Sequence, residues 1–480
     1  MGVIDALQDH GRVREARAAL AGLEAWVVGG TVRDLLARRG LLDLDLAVAG
    51  DAGEAARAIG RAVNGAAFAL SEQFGAWRVH ARDDGFTFDV SPLQAETIEG
   101  DLARRDFSVN AIAVPLAGGD PLDPTGGLPD LESRTLRVLG GDTVETSSYA
   151  SDPLRPLRLV RLAAELGFAP DARTERLTLE AAAAVTRASP ERIFTELRRL
   201  IVADGAIEGL ELADRLGLTA AVLPELAALH GVEQSHYHHL DVHGHTIEVL
   251  REQITIERDP EPVFGSALAP RVAAVLAEPL ADELSRAGAL RLAALLHDVA
   301  KPATRRELDG GRVSFVGHDA VGEEMIGMIC RRLRTSERLR EFLGAIARHH
   351  LALGFLVHEQ PLARAVVYRY LASTSPVEVE VTALSCADRL ATRGRGAEAA
   401  IEKHVQLARE LMQAALDWRA RGAPRPAIKG NRLARELGIE PGPELGELMS
   451  ALAEARYTGE AATPEEAIAY ARRLRENPEA

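Results

Sequence analysis

Two groups of residues in this 480-residue chain have types and spacings suited to chemistry. The first is Asp43-Leu44-Asp45-Leu46-Ala47-Val48, preceded by Val27-Val28-Gly29-Gly30-Thr31-Val32-Arg33-Asp34. Read as a strand, the DLDLAV run puts Asp43 and Asp45 on one face and Leu44 and Leu46 on the other. Convergent carboxylates repel unless a divalent cation lies between them, which suits Mg²⁺ bound together with substrate phosphates. The Gly29-Gly30 junction between an apolar strand and a helical start lets backbone N–H groups approach an anion closely. Asp89, within Phe86-Thr87-Phe88-Asp89-Val90, adds a candidate third carboxylate from a neighbouring strand. The run Arg104-Arg105-Asp106-Phe107-Ser108-Val109-Asn110 has the groups to hold a triphosphate and a ribose. Together these favour metal-assisted phosphoryl transfer.

The second group is built on histidine. Ten of the fourteen histidines lie between residues 230 and 350. His245, His297-Asp298, His318, His349-His350 and Asp388 form a spaced series of imidazoles and carboxylates that can hold one or two divalent transition metals. Lys301, three residues after Asp298, is placed to neutralise a phosphate.

The elements that must carry these residues differ along the chain. Residues 1–142 mix expected strands at Ala25–Val28, Leu44–Val48, Trp77–His80, Thr87–Val90 and Ala111–Val114 with an expected helix over Asp51–Val63. From about Ser148 onward the apolar spacing becomes helical. Loops are expected at Asp120–Asp130 and Pro260–Pro270, and a linker at Arg421–Pro426. An apolar content of 47% supports sizeable cores, and the length suggests about three domains. The expected fold class is α+β, a mixed-sheet head followed by helical regions.

The net charge is −15, from 56 Lys+Arg against 71 Asp+Glu, which argues against bulk polyanion binding. A nucleic-acid partner therefore needs a local basic track, and that track must be arginine, since the lysines are Lys301, Lys403 and Lys429. Two cysteines, Cys330 and Cys386, exclude a cysteine framework, and no uninterrupted 18-residue apolar run occurs. These features point to a cytoplasmic protein with no membrane partner.

The runs GGTVRDLLARRGLLDLDLAV, IEGDLARRDFSVNAIAV, SDPLRPLRLVRLAAELGF and SPERIFTELRRLI resemble, in order and spacing, the class II (bacterial-type) tRNA nucleotidyltransferases and the related bacterial poly(A) polymerases. The resemblance implies a polymerase-β-like head (1–142), a helical neck that reads the base (143–232), a metal-dependent domain (233–395) and a helical tail that helps hold tRNA (396–480). It implies that Asp43, Asp45 and Asp89 are catalytic, with Mg²⁺ on Asp43 and Asp45. Gly29, Gly30, Arg33, Arg105, Asp106, Asn110, Asp152, Arg155 and Arg158 would bind the nucleotide. Asp152 and Arg155 match the pair that reads the incoming base, and on one helical turn they would face the same way. A carboxylate accepts from the exocyclic amine of cytosine or adenine, and a guanidinium donates to the adjacent ring nitrogen. Uracil and guanine present the reverse pattern, so CTP and ATP pass while UTP and GTP do not.

Ser151 stands where the family usually has Glu, and Arg38 where it usually has Gly. Only SPLQAET separates Val90 from Ile98, where enzymes that add the whole CCA end usually carry a flexible loop of about twenty residues. That shortness resembles the CC-adding branch.

HDVAKP, GHDAVGEE and RHH resemble the HD phosphohydrolase superfamily. The implied metal ligands are His245, His297, Asp298, His318, His349 (with His350 the alternative) and Asp388, binding a divalent transition metal such as Ni²⁺, Mn²⁺, Co²⁺ or Fe²⁺. The expected function is addition of C, CC or CCA to a tRNA 3′ end from CTP and ATP, with an added phosphohydrolase activity. The alternatives are poly(A) synthesis, or hydrolysis with an RNA-binding head.

Overall fold

The computed structural model describes residues 7–41, 43–71, 75–234, 240–393 and 397–476. It forms two compact units, Met1–Val222 and Leu223–Ala480. Part of the expected His-rich segment, Ser235–His239, lies outside the described residues.

Unit 1 is organised on a mixed six-stranded sheet. The strands are β1 (Ala25–Val28), β2 (Asp43–Val48), β3 (Ala66–Ser71), β4 (Ala76–His80), β5 (Thr87–Pro92) and β6 (Ala113–Pro115), in the order β3-β4-β5-β2-β1-β6. The β2–β5 pair is parallel and the other neighbours are antiparallel. Helices α1 (Gly11–Ala19), α2 (Gly29–Leu36) and α3 (Ala52–Ala62) belong to this unit. Val27, Leu44, Leu46, Val48, Val79, Phe88 and Val90 are buried with Ala52, Ala55, Ala56 and Ile59 of α3 in one core. The spacing of those α3 residues is the helical period the sequence shows. Asp51 caps the helix by accepting from Glu54 N–H, so the expected Asp51–Val63 element begins where its polar residue stops it.

The expected strands fall at β1, β2, β4 and β5, and Ala111–Val114 is shortened to β6 because Ser108–Asn110 turns as a 3₁₀ helix just before it. The edge strand β3 was not anticipated. Its AAFALS sequence carries three alanines against two larger apolar residues and lacks the β-branched pattern that marks a strand.

Beyond the sheet, unit 1 continues as helices, including Arg155–Leu166 and Pro190–Val202. Unit 2 is mainly helical, with short strand pairs at Pro279–Ala281 with Leu284–Ser285 and at Arg306–Leu308 with Arg312–Ser314. The α+β class holds. Pro260–Pro270 is not one long loop: Glu261–Phe264 is helical and Ala269–Leu276 begins another helix, each with proline in its first turn, where a missing N–H is tolerated. Asp120–Asp130 likewise ends inside a helix, Gly127–Glu132. Arg421–Pro426 does separate two helices, Ala397–Arg421 and Gly430–Leu437. Leu448, Leu452 and Ala455 are core, packed with Ile428, Leu433, Ala467 and Ala471. No described helix is long and apolar enough to cross a membrane.

Candidate active sites in the two units

The parallel register of β2 and β5 sets Asp43 opposite Thr87 and Asp45 opposite Asp89. All three carboxylates line one cavity of about 590 Å³ with Gly29, Gly30, Arg33, Arg105, Asp106, Asn110, Asp152, Arg155 and Arg158. The sequence-predicted residues of the head are thus brought together. Burial, then the charges of Asp43 and Asp89, push the Asp45 carboxyl up to about 6. Asp43 is raised by burial and by Asp89 and Asp34. Carboxylates crowded to this degree fit a divalent cation, which would remove the repulsion that raises them.

Gly29 has φ +66°, and a Cβ there would lie 3.1 Å from Arg105 Nη1 and 3.3 Å from Asp45 Oδ2. A Cβ on Gly30 would lie 3.5 Å from Asp45 Oδ2 and from Arg33 Nη2. The glycines therefore let the start of α2 lie against the carboxylates. Thr31 Oγ1 ties the two elements, accepting from Asp45 N–H at 2.8 Å. Arg38 has φ +57°, a left-handed conformation that glycine adopts at no steric cost.

The arginines are positioned by a chain of polar contacts. Arg33 donates to Asn110 Oδ1 at 2.7 Å, and Asn110 Nδ2 donates to Asp106 Oδ1 at 2.9 Å. Arg158 lies 3.2 Å from Asp106 Oδ2. Burial opposes ionisation of Asp106, but the Arg158 charge and the Asn110 hydrogen bond hold it down at about 2. Asp106 is therefore an ionised organiser of donors.

Sequence reasoning missed three supports. Arg78 on β4 grips Asp89 through two hydrogen bonds of 2.7 Å, so the third carboxylate is already paired. Asp101, buried, holds Arg105 at 3.0 Å and accepts from Gln94 N–H at 2.9 Å. Arg192 pairs with Asp152 at 2.6 Å. The alternation of Trp77-Arg78-Val79 was the available signal for Arg78.

Asp152 and Arg155 do not share a helical turn. The helix begins at Arg155, and Asp152 precedes it in a turn closed by Arg155 N–H to Asp152 O at 3.2 Å. Pro153 and Pro156 flank that start. Arg155 donates to the carbonyls of Arg104, Arg105 and Ser148 at 2.9 to 3.2 Å, and Asp152 Oδ1 accepts from Leu154 N–H. Both line the cavity, each with partners other than the other.

In unit 2, five helical segments converge on the second group. His245 comes from Val242–Arg258, His297-Asp298 from the end of Arg286–Leu296, His318 from the start of His318–Leu333, His350 from the end of Glu337–His349, and Asp388 from Glu378–Ala391. His245, His297 and Asp388 form one set of ligand atoms within 4.8 Å of one another, and Asp298, His318 and His350 form a second. His350 is buried in the cluster, whereas His349 is half-buried and outside both sets, so the expectation of His349 is corrected.

Three rings are fixed in the same way. Nδ1 of His297, His318 and His350 lies 2.9, 2.8 and 2.7 Å from the carbonyls of Ala294, Phe315 and Ala347. A carbonyl only accepts, so each Nδ1 carries the proton and each Nε2 of a neutral ring presents a lone pair. His318 Nε2 and His350 Nε2 stand 3.1 Å apart, an arrangement that needs a proton or a cation between them. His297 Nε2 and both Asp298 oxygens complete no hydrogen bond of acceptable geometry, although Nε2 lies 3.2 Å from Oδ2 and Lys301 Nζ lies 2.6 Å from Oδ2. These donors, with His297, His318 and His350 anchored from behind and the His297 Nε2 and Asp298 oxygens buried without a satisfied hydrogen bond, fit transition-metal coordination.

Burial lowers His350 to about 4, with His297 adding to the shift. Burial opposes the charge on Asp298, but His297 and Lys301 hold its pKa well below the usual carboxylate range. A cavity of about 380 Å³ opens over the second set, lined also by His358, Arg389 and His404, which sequence reasoning did not single out.

Residues 25–97 and 76–137 match the poly A polymerase head domain, 167–229 the probable RNA and SrmB-binding site of polymerase A, and 271–393 the HD domain. The chain is 36% identical to an A-adding tRNA nucleotidyltransferase of Deinococcus radiodurans, over 94% of this chain and 96% of that protein. It is 34% identical to a CC-adding tRNA nucleotidyltransferase of Thermus thermophilus, over 93% of each. A solved CCA-adding enzyme of Thermotoga maritima, complexed with tRNA, shares the fold at a TM-score of 0.61 and 20% identity, over 98% of each chain. Identity above one third across nearly the whole length, with Asp43, Asp45 and Asp89 in the matched head segment and His297, Asp298, His318, His350 and Asp388 in the matched HD segment, means that the chain belongs to the tRNA nucleotidyltransferase and poly(A) polymerase family and carries an HD domain.

Proposed function

We propose that unit 1 extends the 3′ end of tRNA from CTP, adding C residues, and acts in the cytoplasm. The observation that carries the reading is the convergence of Asp43, Asp45 and Asp89 beside Gly29-Gly30 and the arginines Arg33, Arg105, Arg155 and Arg158 in one cavity. Asp43 and Asp45 hold Mg²⁺ delivered with the triphosphate. Magnesium held there would supply charge neutralisation on the phosphates. Arg33, Arg105 and Arg158 bind the phosphates and ribose, and Asp106 with Asn110 holds their donors in place. The tRNA 3′-hydroxyl attacks the α-phosphorus, a new O–P bond forms, and pyrophosphate leaves from the opposite side. Asp152 and Arg155 read the base once their present partners are exchanged for it.

Addition of C residues is favoured by the short link between β5 and Ile98. It spans Leu93–Thr97 and is pinned by Gln94 N–H to Asp101 and by Arg104 Nη1 to Gln94 O at 2.6 Å. Addition of the terminal A is the second reading, favoured by the Deinococcus radiodurans relative. Transcripts of tRNA ending before, within and after CC, given labelled CTP and ATP separately, decide between them. Two added C residues and no A support the first reading, a single A on CC ends supports the second, and long ATP-only tails overturn both.

Unit 2 we assign as a metal-dependent phosphohydrolase acting on a phosphorylated nucleotide or an RNA end. His245, His297 and Asp388, and Asp298, His318 and His350, hold one or two divalent transition metals such as Ni²⁺, Mn²⁺, Co²⁺ or Fe²⁺. The 3.1 Å approach of His318 and His350 supports the reading. Lys301 orients a substrate phosphate beside Asp298.

A further inference from the structure

The open face of the head sheet continues past its carboxylates to the sheet edge. Asp45 is opposite Asp89, Asp89 opposite Arg78, and Arg78 opposite Phe68, so these four side chains form one row across β2, β5, β4 and β3. In the adjacent row His80 is opposite Thr87, and its ring lies 5.5 Å from that of Phe68, tilted by 31°. Phe68 is 41% exposed, and Leu70, which lines the carboxylate cavity, is 46% exposed. An edge strand with exposed large apolar side chains is a site of unwanted pairing unless a ligand uses it. Nucleotide binding at the carboxylates does not account for Phe68 or His80, neither of which lines that cavity.

The reaction geometry says what that ligand is. Gly29 and Gly30, which border the triphosphate in the proposed reading, lie against Asp45 from the β1 side. In-line displacement puts the attacking oxygen opposite the leaving pyrophosphate. The acceptor hydroxyl must therefore arrive from the β5 side, over Asp89 and Arg78, with the preceding nucleotides over β4 and β3. We propose that Phe68 and His80, with Arg78 beside them, form a stacking platform for the terminal unpaired nucleotides of the RNA acceptor. Phe68 offers a face to a base, and the Arg78 guanidinium, paired with Asp89 but about one-third exposed, lies beside it where a backbone phosphate would pass, the combination that binds single-stranded nucleic acid without reading sequence. The inference rests on the transferase reading of unit 1 and adds the path of its acceptor strand.

The test uses full-length protein and a tRNA transcript that ends before CC and carries 2-aminopurine as its last base. Wild type should quench the fluorophore on binding. Phe68→Ala should lose most of that quenching and raise KM for the transcript about tenfold, while KM for CTP changes less than about twofold. Phe68→Trp should restore both. An unchanged acceptor KM and unchanged quenching in a folded Phe68→Ala protein, or a loss that falls on CTP instead, overturns the proposal. If wild type extends no transcript, the transferase reading fails, and the quenching series still decides whether the platform binds RNA.

Discussion

The carboxylates of the head and those of the HD unit meet the same problem, negative charge gathered in one place, and handle it differently. In the head, Asp43 and Asp45 open on the cavity, burial and mutual repulsion raise both, Asp45 to about 6, and Asp89 leans on Arg78. Among the described residues no imidazole lines that cavity. In the HD unit, Asp298 is 1% exposed, stays ionised among His297, His318 and Lys301, and is surrounded by rings locked from behind by backbone carbonyls. In the proposed reading the head suits a divalent cation that arrives with a nucleotide, and the HD cluster suits a resident ion held by ring nitrogens with a preset tautomer.

That contrast is broken most severely by removing the buried Asp298 carboxylate of the HD cluster. Asp298→Ala should abolish phosphoester hydrolysis by more than about 100-fold and strip the transition metal, while nucleotide incorporation persists. Metal analysis of the purified protein and both activity assays check it. The next largest effect separates two neighbouring histidines: His350→Ala should weaken metal affinity about 10- to 100-fold, whereas His349→Ala should leave the metal content at the wild-type level.

In the head, Arg155→Ala should relax the preference for CTP over UTP by about tenfold, because the wrong base would no longer leave a buried donor unpaired. Steady-state kcat/KM for the two nucleotides measures it. The smallest effect is on stability. Because the folded state raises Asp45 from the usual carboxylate range to about 6, it binds protons that the unfolded chain releases, so metal-free stability falls as pH rises from about 4 to 6. Asp45→Asn removes that penalty. Its unfolding midpoint should match wild type near pH 4 and exceed it by about 2–4 °C at pH 7, roughly what 1 kcal/mol makes in a unit of this size. Thermal melts across pH in chelator check the sign.

The legibility of the two regions in the sequence also differs, for physical reasons. The alternation in DLDLAV and the Gly-Gly junction gave the head its strand, its carboxylate face and its anion-binding start, because strand period and glycine geometry are local properties. The Arg78 grip on Asp89 and the Asp101 support of Arg105 depend on cross-strand order and on a loop folding back, which no local period encodes. Asp152 and Arg155 were placed on one helical turn by their spacing, but Pro153 and Pro156 move the helix start to Arg155. In the HD unit the residue types were legible and the choice of His350 over His349 was not. Adjacent helical residues point about 100° apart, and which one faces inward depends on the phase at which the helix ends. The edge strand β3, rich in alanine, gave too weak a pattern to be seen, and with it Phe68 went unnoticed.

The central claim is that the paired carboxylates of β2 carry nucleotide transfer independently of the HD cluster. Incubating Asp43→Ala protein with labelled CTP and a tRNA transcript lacking its CC end tests it directly. The expected result is no incorporation, with phosphoester hydrolysis in Ni²⁺, Co²⁺ or Mn²⁺ at the wild-type rate. Incorporation at the wild-type level would contradict the assignment.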